Sequence, residues 1–114
     1  MAFQITITKT ALGHLNSLPA RERKQLQSAI QSRLVDQPTQ LSKAVKLLRP
    51  NPVGRYELRA GDLRVIYNVE GSEVIITVIG RKVGNKLVVE GEEFHEHRND
   101  PLEQNGEGPS PDAQ

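Results

Sequence analysis

Two glycine turns constrain this chain more than any other feature. Gly61-Asp62 separates the strand-like run Arg55–Ala60 from Leu63–Glu70, and Gly71-Ser72 separates that run from Glu73–Ile79. Connections of two residues are the length of tight hairpins, so the three runs must be antiparallel neighbours. Ahead of them, Phe3–Thr8 alternates apolar and polar residues in the period of a half-buried strand. Thr8 or Thr10 can cap a short helix carrying Ala11, Leu12, Leu15 and Leu18, with His14 on its polar face. Pro19 breaks that helix and suits the opening turn of a second one running to about Asp36. Its apolar stripe is Leu26, Ala29, Ile30 and Leu34, while Arg21, Arg23, Lys24, Gln27 and Gln31 are left to solvent. Gln37-Pro38 ends it, so the pair forms an antiparallel helical hairpin.

From Thr39 to Gly54 the chain reads as a loop with a short apolar stretch at Val45, Leu47 and Leu48, and Lys86–Val89 adds a last short strand. The order predicts an α+β fold: an N-terminal strand, then a helical hairpin packed on one face of a mainly antiparallel sheet of four or five strands. This domain covers residues 1–93. The remainder, 94–114, reads as an acidic, disordered tail, since Asn99–Gln114 has three prolines, two glycines and only Leu102 and Ala113 as apolar residues.

Composition narrows the function classes. The chain has no Cys, which excludes a disulfide framework, a thiolate zinc site and a cysteine nucleophile. No apolar run approaches the ~18 residues of a membrane span. The start of the chain lacks a charged segment followed by an apolar one, so the expected location is the cytoplasm. A formal net charge of +1 hides a split by position. Residues 1–89 carry a net +8 (14 basic against 6 acidic), and residues 90–114 a net −7 (1 basic against 8 acidic). Such asymmetry points to a polyanionic partner.

The strand alternation shows where the cations go. Leu63, Val65, Tyr67 and Val69 share one side of their strand, leaving Arg64, Ile66 and Asn68 on the other. In the preceding strand Tyr56 and Leu58 oppose Arg55, Glu57 and Arg59. If the helices cover the apolar side, Arg55, Arg59 and Arg64 point to an open face, and Arg81 at the end of the next strand closes the cluster. Tyr56 and Tyr67 fall on the core side as packing residues, and Glu57 relieves repulsion between neighbouring arginines.

The run Arg55-Tyr-Glu-Leu-Arg59-Ala-Gly61-Asp62-Leu-Arg64-Val-Ile-Tyr67, followed by Val74-Ile-Ile-Thr-Val-Ile-Gly80-Arg81-Lys82, resembles the RelE/ParE superfamily. These are the toxins of type II toxin–antitoxin modules. Lys46-Leu47 and the helical hairpin around Leu18-Pro19 fit as well, and the likeness extends over residues 3–90. RelE-type members act in the ribosomal A site and cut mRNA by attack of a ribose 2′-OH on the adjacent phosphate. That chemistry needs a base, an acid at the leaving oxygen, and positive charge on the phosphorane.

Carried over by position, the resemblance implies that Arg64 and Arg81 hold the scissile phosphate. Arg59 stands near a family lysine and Lys46 on a loop position that contacts RNA. Arg49, Arg55, Lys82 and Lys86 complete the expected RNA-binding set. Two positions depart from the RelE pattern: Glu57 replaces a lysine and Leu87 a tyrosine. The available substitutes are Glu57 as base and His95 or His97 as acid. No cofactor or metal is expected; the charge stabilisation comes from arginines, and His95-Glu96-His97 lacks a third ligand at fixed spacing.

The implied partners are a cognate antitoxin wrapping the basic body, the ribosome and its mRNA, with no membrane. One alternative is a ParE-like inhibitor of DNA gyrase without nuclease activity; another is a degenerate member that only binds an antitoxin. The acidic end is either a solvated tail or a shield, through Glu90, Glu92, Glu93 and Glu96, for the arginine cluster.

Overall fold

The computed structural model describes residues 2–94. Strand β1 (Gln4–Ile7) leads into helix α1 (Lys9–Asn16), and α2 (Ala20–Arg33) follows. Thr8 caps α1: its Oγ1 accepts the Ala11 N–H at 3.1 Å. Pro19 stands immediately before α2, where its fixed φ suits helix entry, and Arg23 Nη1 donates to the Leu18 carbonyl at 2.5 Å across the corner. Helix α2 buries Leu26 and Ile30, and Leu34 follows at 0% exposure, so the predicted stripe faces the sheet.

The sheet contains β2 (Val45–Leu47), β3 (Tyr56–Ala60), β4 (Leu63–Glu70), β5 (Glu73–Val83), β6 (Lys86–Val89) and β7 (Glu92–Glu93), hydrogen-bonded in that order. The β1 strand pairs parallel to the first half of β5, Gln4 opposite Glu73 through Ile7 opposite Ile76. The α+β arrangement with a helical hairpin on a mainly antiparallel sheet is as expected, but the sheet has seven strands. The added ones are β2, in the segment expected as loop, and the two-residue β7.

Two apolar clusters sandwich the sheet. The larger joins Ala11, Leu15, Leu26 and Leu34 of the helical layer to Leu58, Val65, Tyr67, Ile76 and Ile79. Tyr67 is fully buried, donates its hydroxyl to the Pro38 carbonyl at 2.6 Å and stacks on Tyr56. The opposite face, expected to be open, carries a second cluster of Val53, Ile66, Val78, Leu87 and Val89, with Leu48 and Phe94 against it. Fully burying a Leu or Ile is worth roughly 1.5–3 kcal/mol, which is why the 48–54 loop folds over this face instead of leaving it to solvent. Among the described residues no helix is long and apolar enough to cross a membrane.

Two residues sit where the chain has no slack. At Gly80 a Cβ would lie 2.5 Å from the Val88 carbonyl oxygen and 2.9 Å from a Val89 methyl, so only glycine lets β6 approach β5 there. His14 is buried, not on a polar face as its place in α1 suggested. Between Ile76, the last β5 residue paired with β1, and Arg81, the first paired with β6, that edge of β5 has no strand beside it. There the Ile79 N–H donates to His14 Nδ1 at 3.2 Å, which satisfies a buried amide. Burial lowers the pKa of His14, and the Glu90 carboxylate partly offsets the effect.

Replacing Gly80 by Ala should cost about 2–3 kcal/mol, measured by urea unfolding, because the obstructing atom is backbone. For His14, the unfolded chain takes up a proton near the ordinary value of 6.5 while the folded chain resists it. Stability is therefore complete above that value and is lost as the pH falls through it. Unfolding midpoints between pH 7.5 and 5.5 should show this slope, and His14→Gln should flatten it.

Candidate functional site

The face distribution of the charged residues depends on one extra residue in β5. From Val69 opposite Val74 to Tyr67 opposite Ile76 the β4–β5 ladder is regular; beyond it Ile66 lies opposite Val78, and Thr77 is left over. The Thr77 hydroxyl donates to the Val53 carbonyl at 3.0 Å, with the Ile66 carbonyl at 3.2 Å as an alternative acceptor, and this holds the bulge in place. A one-residue shift inverts the facing of everything beyond it. Val78, Gly80 and Lys82 consequently lie on the face of Ile66 and Arg64, whereas Ile79 and Arg81 lie on the face of Val65, Leu63 and the helices.

This corrects the expectation for Arg81. It does not close the cluster around Arg64; it reaches α2 instead, where Nη1 and Nη2 bind the two oxygens of Glu22 at 2.8 and 2.5 Å. The paired hydrogen bonds raise the Arg81 pKa and lower that of Glu22. A cavity of ≈ 360 Å³ beside it is lined by His14, Ser17, Gly80, Arg81 and Glu90. Lys86 is also on this side, since it is in register with Val83, and it pairs with Glu93 at 3.0 Å. The β5 cation that does share the Arg64 face is Lys82, whose backbone N–H donates to the Asp62 carbonyl at 2.8 Å.

The other positions meet on the second face. Arg59 lies directly opposite Arg64 across β3 and β4, and Glu57 lies opposite Ile66 on one flank and Lys46 on the other. Glu57 is 0% exposed, and its Oε1 accepts from Arg59 Nε at 2.9 Å. Arg64 is only 9% exposed; its Nη1 donates to the carbonyls of Gly61 (2.7 Å) and Leu63 (2.9 Å). Burial lowers the Arg64 pKa, and the Glu57 carboxylate is the main influence raising it again. Around this closed core, Lys46 is half-buried, and Arg49 and Arg55 are exposed. Leu87, at the position where a tyrosine was expected from the RelE pattern, is fully buried in the second cluster. His95 and His97 lie outside the described residues.

Sequence reading missed the structural parts of two residues, His14 and Glu22. His14 had a usable signal, because Ala11, His14, Leu15 and Leu18 form one helical stripe. Glu22 as the partner of Arg81 had none. Lys82 was in the expected RNA-binding set, but its place beside Arg64 instead of Arg81 depends on the bulge, and the apolar run Val74-Ile75-Ile76 followed by Val78-Ile79 fits either parity.

In comparisons with known proteins, a family profile described as the ParE toxin of the type II toxin-antitoxin system, parDE, matches residues 5–82. The fold is similar to that in the toxin–antitoxin complex RelBE2 from Mycobacterium tuberculosis, with a TM-score of 0.62 at 23% identity over 72% of this chain and 100% of that one. It is also similar to the archaeal RelE–RelB complex from Pyrococcus horikoshii OT3, with a TM-score of 0.58 at 26% identity over 71% and 96%. Among curated proteins none matches in sequence.

The two ion pairs should respond differently to salt. In double-mutant cycles, coupling between Glu22 and Arg81 should fade between 0.05 and about 1 M NaCl, where the screening length shrinks to about 3 Å. Coupling between Glu57 and Arg59 should persist, because solvent does not reach Glu57.

Proposed function

This chain belongs to the ParE toxin family of type II toxin–antitoxin systems, and from that membership we propose that it arrests growth by binding a protein target rather than by cutting RNA. DNA gyrase is the target that the ParE-like side of the resemblance implies. The observation carrying this reading is that, among the described residues, the candidate base and the arginines expected to hold the phosphate do not converge on a reachable point. Attack by a ribose 2′-OH needs a base, an acid and charge stabilisers within hydrogen-bond reach of one phosphate. Here Glu57 is fully buried against Arg59, Arg64 is committed to backbone carbonyls, and Arg81 is tied to α2 on the other side of the sheet.

The second reading is a ribosome-dependent mRNA endonuclease that inhibits translation. Its support is that Arg59, Arg64 and Lys82 share one face, with Lys46, Arg49 and Arg55 around it. In that reading His95 supplies the acid and Glu57 the base.

Under either reading the regulator is a cognate antitoxin, in keeping with the toxin–antitoxin complexes whose fold this chain shares. Net charge of +8 over residues 1–89 suits an acidic antitoxin segment laid along the body.

Two assays on the full chain separate the readings. Added to purified gyrase and plasmid DNA, the protein should block supercoiling or leave gyrase-dependent breaks. Added to cell-free translation, it should leave mRNA ends unchanged in primer extension. Ribosome-dependent cuts that disappear in an Arg64→Ala variant would overturn the binding mode and establish the nuclease.

A further inference from the structure

Glu57 is the position at which this chain departs most sharply in charge from the lysine pattern of RelE toxins, and the fold gives that carboxylate a defined place. Arg59 and Arg64 lie directly opposite each other on β3 and β4, an arrangement in which two like charges repel. Glu57 is on the same face, two residues before Arg59 and diagonal to Arg64. One of its oxygens binds Arg59 at 2.9 Å. The other, Oε2, is buried without a hydrogen-bond partner among the described residues, and so is Arg64 Nε. Both side chains are more than nine-tenths buried, so a formal anion and a formal cation each keep one unsatisfied polar atom on the same protected face.

We propose that Arg59 and Arg64 form an anion site in which Glu57 is the resident anion, and that Glu57 thereby sets ligand specificity by keeping phosphodiesters out. A carboxylate and a phosphate present the same acceptor geometry to guanidinium donors, so they compete for the same N–H groups. A phosphate approaching Arg64 meets the Glu57 charge at short range in a poorly solvated setting, where like-charge repulsion is far stronger than in water. Removing that charge while keeping the side chain's shape leaves Arg59 only a neutral amide acceptor, which an anion can displace, and leaves both guanidinium charges for the incoming anion. This goes beyond the choice between gyrase and mRNA: it concerns what the arginine pair binds, and binding assays read it independently of growth arrest.

The test uses the full chain, with inorganic phosphate followed by thermal unfolding and a short single-stranded RNA followed by fluorescence anisotropy at low salt. Wild type should show no saturable stabilisation by phosphate beyond that given by an equal ionic strength of chloride. Glu57→Gln should gain such saturation, bind the RNA at least tenfold more tightly, and steepen the salt dependence by about one phosphate contact. Adding Arg64→Met to Glu57→Gln should abolish the gain. The proposal fails if Glu57→Gln gains nothing, or if the gain survives in the double variant. Should Glu57→Gln not fold, the wild-type titration decides: saturable phosphate binding overturns the proposal, and its absence supports it.

Discussion

Thr77 is the residue β5 holds in excess of β4, and the two faces of the molecule are arranged around it. Without it, the residues beyond it would face the opposite way: Ile79 and Arg81 would leave the helices and Val78 would leave the second cluster. With it, Ile79 completes the main core, Val78 joins Ile66 and Leu87 below, and Arg81 reaches Glu22 on α2. The 48–54 loop depends on the same point, because the Val53 carbonyl accepts the Thr77 hydroxyl while Val53 packs in the second cluster. The bulge thus does more than bend a strand. It assigns one cation to each side of the sheet, Arg81 to the helical layer and Lys82 to the side of Arg64.

The second cluster explains the character of the arginine face. A sheet covered on one side only would leave Glu57, Arg59 and Arg64 in water, where ion pairs are worth little. Here Val53, Leu48 and Phe94 close over part of that side, and Glu57 and Arg64 are buried with it. Removing an ionised group from water costs several kcal/mol even after relaxation, so these charges persist only through mutual attraction and the Gly61, Leu63 and Arg59 hydrogen bonds. The same contacts that make the burial tolerable also occupy Arg59 Nε and Arg64 Nη1, two of the donors a phosphate would use. In this toxin, fold stability and a closed anion site have one physical origin.

His14 shows a similar economy on the other side. The β1 strand and β6 both pair along one edge of β5 but leave a gap between them, and an unpaired amide in that gap would be costly. A histidine from α1 fills it, which fixes the helix against the sheet and makes the neutral imidazole part of the fold.

What the sequence determined by itself was local: turns, helix limits, the apolar stripe of α2 and the alternation of β3 and β4. These follow from backbone preferences and from periodicity within a single element, so Gly61, Pro19, Leu26 and Tyr67 stand where their neighbours in sequence require. The pairing of Arg59 with Arg64 was legible for the same reason, since a two-residue turn fixes the register of its hairpin. Only the tertiary structure decided the facing of Arg81 and Lys82, the burial of Glu57 and the strand at Val45–Leu47. Both faces of β5 are apolar around Thr77, so periodicity holds no record of a slipped residue. The second cluster, meanwhile, draws Val53, Ile66 and Leu87 together from distant parts of the chain. Charge along the sequence announced a basic body; which charges remain available to a ligand was settled by how the chain covers its own sheet.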